Sequence, residues 1–165
     1  MRRAVLRTSV VFLVLAVTIG CDQITKLDAR RSLPGTGVRS VVGSYLVLVY
    51  TENSGAFLSL GARWPVPLRQ ALFIFISLAV LLVLVVFVLR SPRLRLATTI
   101  ALALLAGGGV SNVIDRIFRD GRVVDFLNLG IGTVRTGIFN LADVAILSGI
   151  VLLVALQFGG NRQRD

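Results

Sequence analysis

The sequence predicts a membrane α-helical protein with four transmembrane helices, a small β element outside the membrane and a short surface helix or loop. Hydrophobic residues make up 55% of the 165 residues, and the mean hydropathy of +0.85 exceeds that of an ordinary soluble domain. Four apolar stretches approach the roughly 20 residues that a helix needs to cross a bilayer. We therefore expect one integral membrane domain over residues 1–165, in contact with membrane lipids.

The apolar stretches cover residues 8–24, 68–89, 96–114 and 138–158, and they predict helical spans at about residues 8–26, 68–90, 96–116 and 138–159. The second span is the cleanest, because residues 71–89 carry no charge. Arginines surround Pro92 in the short link that follows, which is typical of a tight turn. Spans two and three are therefore predicted to form an antiparallel hairpin.

A polar stretch over residues 28–67 separates the first two spans. Its 38–50 portion is rich in β-branched and aromatic residues with partial alternation, which predicts a small β element on the membrane surface. The segment at 119–137 is too long for a turn, and its glycines predict an irregular backbone.

The composition excludes several classes of function. The chain has no histidine and a single cysteine, Cys21, so the commonest ligands of zinc, copper and haem are missing. A metal held by carboxylates alone stays open, but we assign no metal site and expect no cofactor. A net charge of +10 would indicate nucleic acid in a soluble chain. Here many arginines flank apolar spans, where they meet lipid headgroups, so we expect no nucleic-acid partner.

The N-terminus has a second interpretation. Arg2 and Arg3, the apolar run after them and the residues just before Cys21 resemble a bacterial lipoprotein signal peptide, in which Cys21 would be lipidated. However, Thr18 fits poorly where a leucine-like residue is usual, and lipoproteins rarely have three further spans. We therefore predict an uncleaved first helix in which Cys21 is a small buried side chain.

Polar residues in or beside spans are costly, so they mark candidate functional sites. Asp22 and Lys26 stand four residues apart, which pairs them on one helical face. A helix-end salt bridge explains this pair at least as well as catalysis. Lys26 is the only lysine, and nothing local supports its use in a Ser-Lys hydrolase. Asn53 and Gly55 suit a turn in which a small residue permits close backbone approach.

Span three carries a polar face. Gly108 and its glycine neighbours permit close helix packing, and Asn112, Asp115 and Arg116 follow at positions i, i+3 and i+4. One face therefore presents an amide, a carboxylate and a guanidinium. A purely structural explanation stays open, since Arg116 can neutralise Asp115 in a buried network.

Asp125 and Asp143 stand at the two ends of the segment between spans three and four, where water meets lipid. Asn140 precedes Asp143 by three residues and shares its helical face. One ionised aspartate can take a proton from a water that attacks a carbonyl, while a protonated partner donates to the oxygen or the leaving amine. Close like charges push two pKa values apart, so such a pair shares one proton. These residues predict a membrane-embedded aspartic hydrolase.

The alternative is a small proton-coupled transporter or channel, whose intramembrane acids carry protons. It predicts that Asp125 and Asp143 act independently and that no peptide bond is cut.

The order of these motifs resembles that of the lipoprotein signal peptidases, also called signal peptidase II. Each motif is weak alone, but five in order on four spans are specific, and they cover nearly the whole chain. The five are Asp22-Gln23 with Lys26, Asn53 with Gly55 and Phe57, Asn112 with Asp115-Arg116, the Val-Val-Asp-Phe string at 123–126, and the Phe-Asn-Leu-Ala-Asp string at 139–143. One departure is Ser111, where the family commonly has glycine before the asparagine of span three; a serine is small enough for the packing to survive.

The resemblance implies an aspartic endopeptidase of the bacterial inner membrane that removes the signal peptide of diacylglyceryl-modified prolipoproteins, cutting just before the lipidated cysteine. It implies that Asp125 and Asp143 are the catalytic dyad, near the outer leaflet, with both termini cytoplasmic. An extracytoplasmic β element and a short surface helix are expected within residues 38–60 and 127–135. The antibiotic globomycin is the expected inhibitor, and we expect a monomer. Residues expected to bind substrate or support the site are Asp22, Lys26, Asn53, Gly55, Gly108, Asn112, Asp115, Arg116 and Asn140.

Overall fold

The computed structural model describes residues 2–54, 64–91 and 93–161. Within these ranges, four helices are long and apolar enough to cross a membrane. They are α1 (Arg2–Ser32), α2 (Val66–Arg90), α3 (Leu96–Phe118) and α4 (Leu141–Asn161). A small antiparallel sheet accompanies them, so the predicted fold class is confirmed.

α3 is the central helix, because it packs against each of the other three. Gly108 allows α3 to approach α4 closely, since a Cβ at this position would lie 2.4 Å from the carbonyl oxygen of Ala142. Gly149 of α4 plays the same part, since a Cβ there would lie 2.6 Å from the carbonyl oxygen of Ala101. Both obstacles are backbone atoms, so the close crossing of α3 and α4 needs glycine at both positions.

The sheet has the order β1-β2-β3-β4, and all neighbouring strands are antiparallel. Its strands are β1 (Arg39–Val42), β2 (Leu46–Asn53), β3 (Val123–Ile131) and β4 (Val134–Arg135). The pairing of the two central strands, β2 and β3, places Thr51 opposite Asp125 and Asn53 opposite Val123. This register brings the end of β2 to Asp125, one of the two predicted catalytic residues.

α1 is longer than the sequence predicted, because it continues to Ser32 through residues expected to begin a polar loop. The extension has an apolar side that packs on the sheet, and this contact favours helix over loop. The buried residues of this contact are Ala29, Leu33, Val124 and Phe126.

Other predictions also need correction. The predicted irregular segment at 119–137 is largely strand, and the stretch where a surface helix or loop was expected is the β3–β4 hairpin. Strand is favoured there because β3 pairs with β2 on one side and β4 on the other. α4 begins at Leu141, later than the predicted residue 138, because Asn140 caps it. Cys21 is exposed, so the prediction that it is buried is wrong.

A buried charge cluster joins α1 to α3. The Lys26 Nζ lies 2.6 Å from Asp22 Oδ2 and 2.9 Å from Asp115 Oδ2, and all three side chains are fully buried. Arg119 also pairs with Asp115, at 2.7 Å. Two carboxylates therefore meet two cations, which makes the cluster neutral. An unpaired charge would be very costly at this depth, so the members of the cluster depend on one another.

Asp22 also ties α4 to this charge cluster. Its Oδ1 accepts a hydrogen bond from the N–H of Ala142, in the first turn of α4, at 2.8 Å. Its Oδ2 accepts one from the Ser111 hydroxyl at 2.7 Å, and that hydroxyl accepts one from the Gln23 amide at 2.9 Å. Three helices therefore meet at one carboxylate. Ser111, which was predicted only to be small enough for helix packing, therefore also contributes a hydrogen bond.

Asp22→Asn is expected to destabilise the protein by about 3–5 kcal/mol, because it leaves the buried Lys26 with too little compensating charge. The matched control is Asp28→Asn, the same change on an exposed side chain of α1, with an expected effect below about 0.5 kcal/mol. Denaturant unfolding in detergent measures both. Equal stability of Asp22→Asn and the wild type would contradict this account of the charge cluster.

Candidate active site

Asp125 lies near the start of β3, and only 3% of its surface is exposed. Its Oδ1 accepts a hydrogen bond from Asn140 Nδ2 at 2.7 Å. Its Oδ2 accepts one from Asn53 Nδ2 at 3.2 Å. Asn53 is the last residue of β2, so the pairing of β2 with β3 delivers this donor. Both oxygens of Asp125 are therefore held by side-chain amides.

Asp143 lies in the first turn of α4, and its side chain is partly exposed. It forms a reciprocal cap with Asn140. The Asp143 N–H donates to Asn140 Oδ1 at 2.9 Å, and the Asn140 N–H donates to Asp143 Oδ2 at 3.2 Å. The cap satisfies N–H groups that a helix start leaves without partners, and the positive end of the helix dipole favours a carboxylate there.

Asn140 joins the two aspartates, because its side chain contacts both of them while being fully buried. The residue before it is fixed to β3. The Phe139 N–H donates to the Leu127 carbonyl at 2.8 Å, and the Leu127 N–H donates to the Phe139 carbonyl at 2.8 Å. The long segment between Asp125 and Asp143 is therefore closed at its base, which brings its two ends to one place.

Asn112 of α3 connects this pair to the buried charge cluster. The Lys26 ammonium donates to Asn112 Oδ1 at 2.9 Å, and Asn112 Nδ2 donates to Asp143 Oδ1 at 3.0 Å. An ammonium can only donate, so Lys26 fixes which end of the Asn112 amide faces Asp143. Lys26 also uses its other donors on two carboxylates, which leaves it unsuited to act as the base of a Ser-Lys hydrolase.

Arg116 brings a positive charge to the same region. Its charge acts on Asp125 and Asp143, and its Nη1 donates to the backbone carbonyl of Asn112 at 3.3 Å. Lys26 and Arg119 form ion pairs with Asp115, and the charge of Asp115 also acts on Arg116, so the structural explanation for Arg116 stays open beside the catalytic one.

The two aspartates differ in their electrostatic environment. Burial, and after it the negative charge of Asp143, raise the pKa of Asp125 to about 6. The hydrogen bonds from Asn53 and Asn140 lower this pKa without offsetting the burial. Asp125 therefore keeps a proton at a pH where ordinary carboxyl groups are ionised.

The structure brings most of the predicted site residues together. Asn53, Asn112 and Asn140 contact the aspartates directly. Lys26 and Arg116 contact Asn112, and Asp22 accepts from the N–H of Ala142 at the start of α4. Asp115 pairs with Lys26. Gly108 holds the crossing of α3 and α4. Gly55 lies outside the residues that the structure describes. Among those described, no group of three or more Cys, Asp or Glu side chains is arranged to hold a metal ion.

Sequence reasoning left Gln23, Ser111 and Arg119 out of the site. Arg119 stands four residues after Asp115, so helical spacing was a signal that could have found it. Gln23 donates to Asp115 Oδ1 at 3.0 Å across the α1–α3 contact. Gln23 stands within a family motif and Ser111 departs from the family pattern, but no spacing within the sequence predicts the contact that the two residues make between α1 and α3.

The chain is similar to lipoprotein signal peptidases along most of its length. It is 34% identical over 163 residues to the one from Borrelia hermsii, which covers 95% of this chain and 94% of the relative. It is 35% identical over 158 residues to the one from Treponema denticola, with 93% and 91% covered. The relative from Leifsonia xyli subsp. xyli is 38% identical over 167 residues, with 92% and 72% covered.

Solved structures share the fold. One, described as a bacterial membrane enzyme structure obtained by the in meso method at 2.3 Å resolution, matches with a TM-score of 0.81 and 25% identity, over 94% of this chain and 91% of that one. A second, at 1.9 Å resolution, gives a TM-score of 0.77 and 26% identity, over 89% and 91%. The family described as Signal peptidase (SPase) II matches residues 14–158. With its four apolar helices, this chain is a multi-pass membrane protein that belongs to the signal peptidase II family.

Proposed function

We propose that this protein is an aspartic endopeptidase that removes the signal peptide of diacylglyceryl-modified prolipoproteins, cutting just before the lipidated cysteine. The observation that carries the proposal is the coupled pair Asp125 and Asp143, which Asn140 joins and which differ in burial. Membership of the signal peptidase II family supports the substrate class. The transporter interpretation needs two independent aspartates, and nothing in the comparisons favours it.

In the proposed mechanism Asp125 starts with the shared proton and Asp143 starts ionised. Burial disfavours a charge on Asp125. Asp143 receives an amide donor on one oxygen and a backbone N–H on the other, and it lies at the positive end of the α4 dipole. Its partial exposure also leaves it accessible to water.

Hydrolysis then needs one water and no covalent intermediate. Asp143 takes a proton from the water while the water oxygen bonds to the scissile carbonyl carbon, and Asp125 protonates the carbonyl oxygen. The resulting gem-diol collapses when the C–N bond breaks. Asp143 gives its proton to the leaving amine, and a diol hydroxyl returns a proton to Asp125. The dyad ends in its starting state, and one peptide bond and one water become an acid and an amine.

The surrounding groups keep this geometry in place. The Asn112 and Asn140 amides hold the Asp143 carboxylate and the Asp125 carboxyl in fixed orientations. Arg116 supplies a positive charge that orients the substrate or stabilises the oxygen as negative charge develops on it. Gly55, and Asn53 beyond its bond to Asp125, are proposed to contact the substrate.

We further propose that residues 1–165 form one peptidase domain in the bacterial inner membrane. The sheet, the C-terminal ends of α1 and α3 and the start of α4 all contact the dyad or its supports. The proposed arrangement places this end of the bundle at the outer leaflet and both termini in the cytoplasm. Membrane lipids surround the spans, the working form is a monomer, no cofactor is needed, and globomycin is the proposed inhibitor.

Asp125→Asn and Asp143→Asn are each expected to lower cleavage by at least ~100-fold, because each removes a group that must exchange protons with the substrate or water. The assay is a gel shift of a diacylglyceryl-modified prolipoprotein in detergent, with mass spectrometry of the product to locate the cut. The matched control is Asp120→Asn, at an exposed turn residue with φ 50°, which asparagine tolerates.

The control and the wild type should cleave equally, and globomycin should block both. Wild-type rates from either dyad variant would contradict the assignment of the dyad. A wild-type chain that leaves the substrate intact, while another signal peptidase II cuts it, would contradict the proposed activity itself.

The pH dependence of kcat/KM provides a second prediction. Asp125 must be protonated, and its pKa is about 6, so kcat/KM should fall as the pH rises through about 6. Asn53→Ala removes a hydrogen bond that favours the ionised carboxylate, so it raises this pKa. The alkaline limb should therefore move to higher pH.

The control for that shift is Asn128→Ala, which makes the same truncation in β3. There the side-chain amide donates to the backbone carbonyl of Thr136 and not to Asp125. Its alkaline limb should coincide with that of the wild type, whatever its effect on the amplitude. A limb that moves to lower pH in Asn53→Ala would show that the proton is not on Asp125.

A further inference from the structure

The guanidinium of Arg116 lies over the ring of Phe73, with 5.9 Å from Cζ to the ring centroid. Phe73 belongs to α2, a helix to which the proposed mechanism assigns no role. A cation over an aromatic face is attracted by the negative charge density of the ring, and the flat guanidinium also stacks well on it. This contact links α2 to the charge beside the dyad.

Phe73 occupies the face of α2 that meets the end of α3. Gln70, one turn earlier, packs so closely that a Cβ on Gly121 would lie 2.5 Å from its Cγ. The opposite face of α2 is open, since Phe75 is 71% exposed and Leu82 is 66% exposed. Phe73 therefore lies on the side of α2 that packs against the last turn of α3.

We propose that Phe73 is a positioning residue for the reaction, whose ring holds the Arg116 guanidinium toward the dyad. This inference rests on the proposed function, because it concerns the group that orients the substrate or stabilises the developing charge.

The energetic reason is the freedom of a long arginine side chain. An arginine side chain has many rotamers, and each contact that the guanidinium makes favours some of them over the others. The aromatic face favours the rotamers that keep the guanidinium near Asp125 and Asp143, on which its charge acts. A leucine at position 73 fills similar space but does not attract the cation, so volume and attraction can be separated by mutation.

The test compares kcat/KM for prolipoprotein cleavage among the wild type, Phe73→Leu and Phe73→Tyr in the full-length protein. Loss of the aromatic face in Phe73→Leu should lower kcat/KM by roughly 3- to 30-fold relative to the wild type. Phe73→Tyr keeps an aromatic face, so its kcat/KM should equal that of the wild type. Phe75→Leu is the matched control on the exposed face of α2, and it should match the wild type. In single-turnover reactions, Phe73→Leu should add no further loss to Arg116→Gln.

Each outcome decides the inference. Wild-type activity in Phe73→Leu, an equal loss in Phe73→Tyr, or a further loss on the Arg116→Gln background would each overturn it while leaving the proposed function intact. Failure of the wild type to cleave would overturn the proposed function, and the inference with it. Loss in Phe73→Leu, recovery in Phe73→Tyr and no added loss on Arg116→Gln together support it.

Discussion

The structure depends on one buried ammonium group. Lys26 is fully enclosed between Asp22 and Asp115, where an unpaired charge would be very costly. Its compensation requires α1 and α3 to meet at one depth, and Asp22 adds α4 through the N–H of Ala142. Asp115 adds the sheet, because its Oδ2 accepts from the N–H of Val124 at 3.1 Å. A single neutral cluster therefore fixes three helices and the strand that carries Asp125.

The charge cluster also fixes the orientation of side chains that contact Asp125 and Asp143. Lys26 occupies the oxygen of the Asn112 amide, so the nitrogen faces Asp143. Asn140 caps Asp143 and donates to Asp125, so the two carboxyl groups are held by amides that cannot turn without breaking other bonds. Asp125 is buried and Asp143 is partly exposed, and this burial raises the pKa of Asp125 to about 6.

The sequence alone predicted the four spans and several of the site residues. Apolar length predicted the four spans, helical spacing predicted the Asp22–Lys26 pair now seen at 2.6 Å, and the motifs pointed to the aspartates. The strand β3 was not predicted, because its partner β2 is distant in the chain and its glycines suggested a loop. The roles of Ser111 and Phe73 depend on contacts between helices, which local patterns do not encode.

In the proposed mechanism, one carboxyl proton resides on Asp125, beside an ionised Asp143. Infrared difference spectroscopy with isotope-labelled aspartate tests this assignment, by following the protonated-carboxyl band as the pH is stepped. We expect a band that titrates near pH 6, disappears in Asp125→Asn and persists in Asp143→Asn with a lower midpoint, because the neighbouring charge is removed. A band that disappears in Asp143→Asn and remains in Asp125→Asn would place the proton on Asp143 and rule the proposed mechanism out.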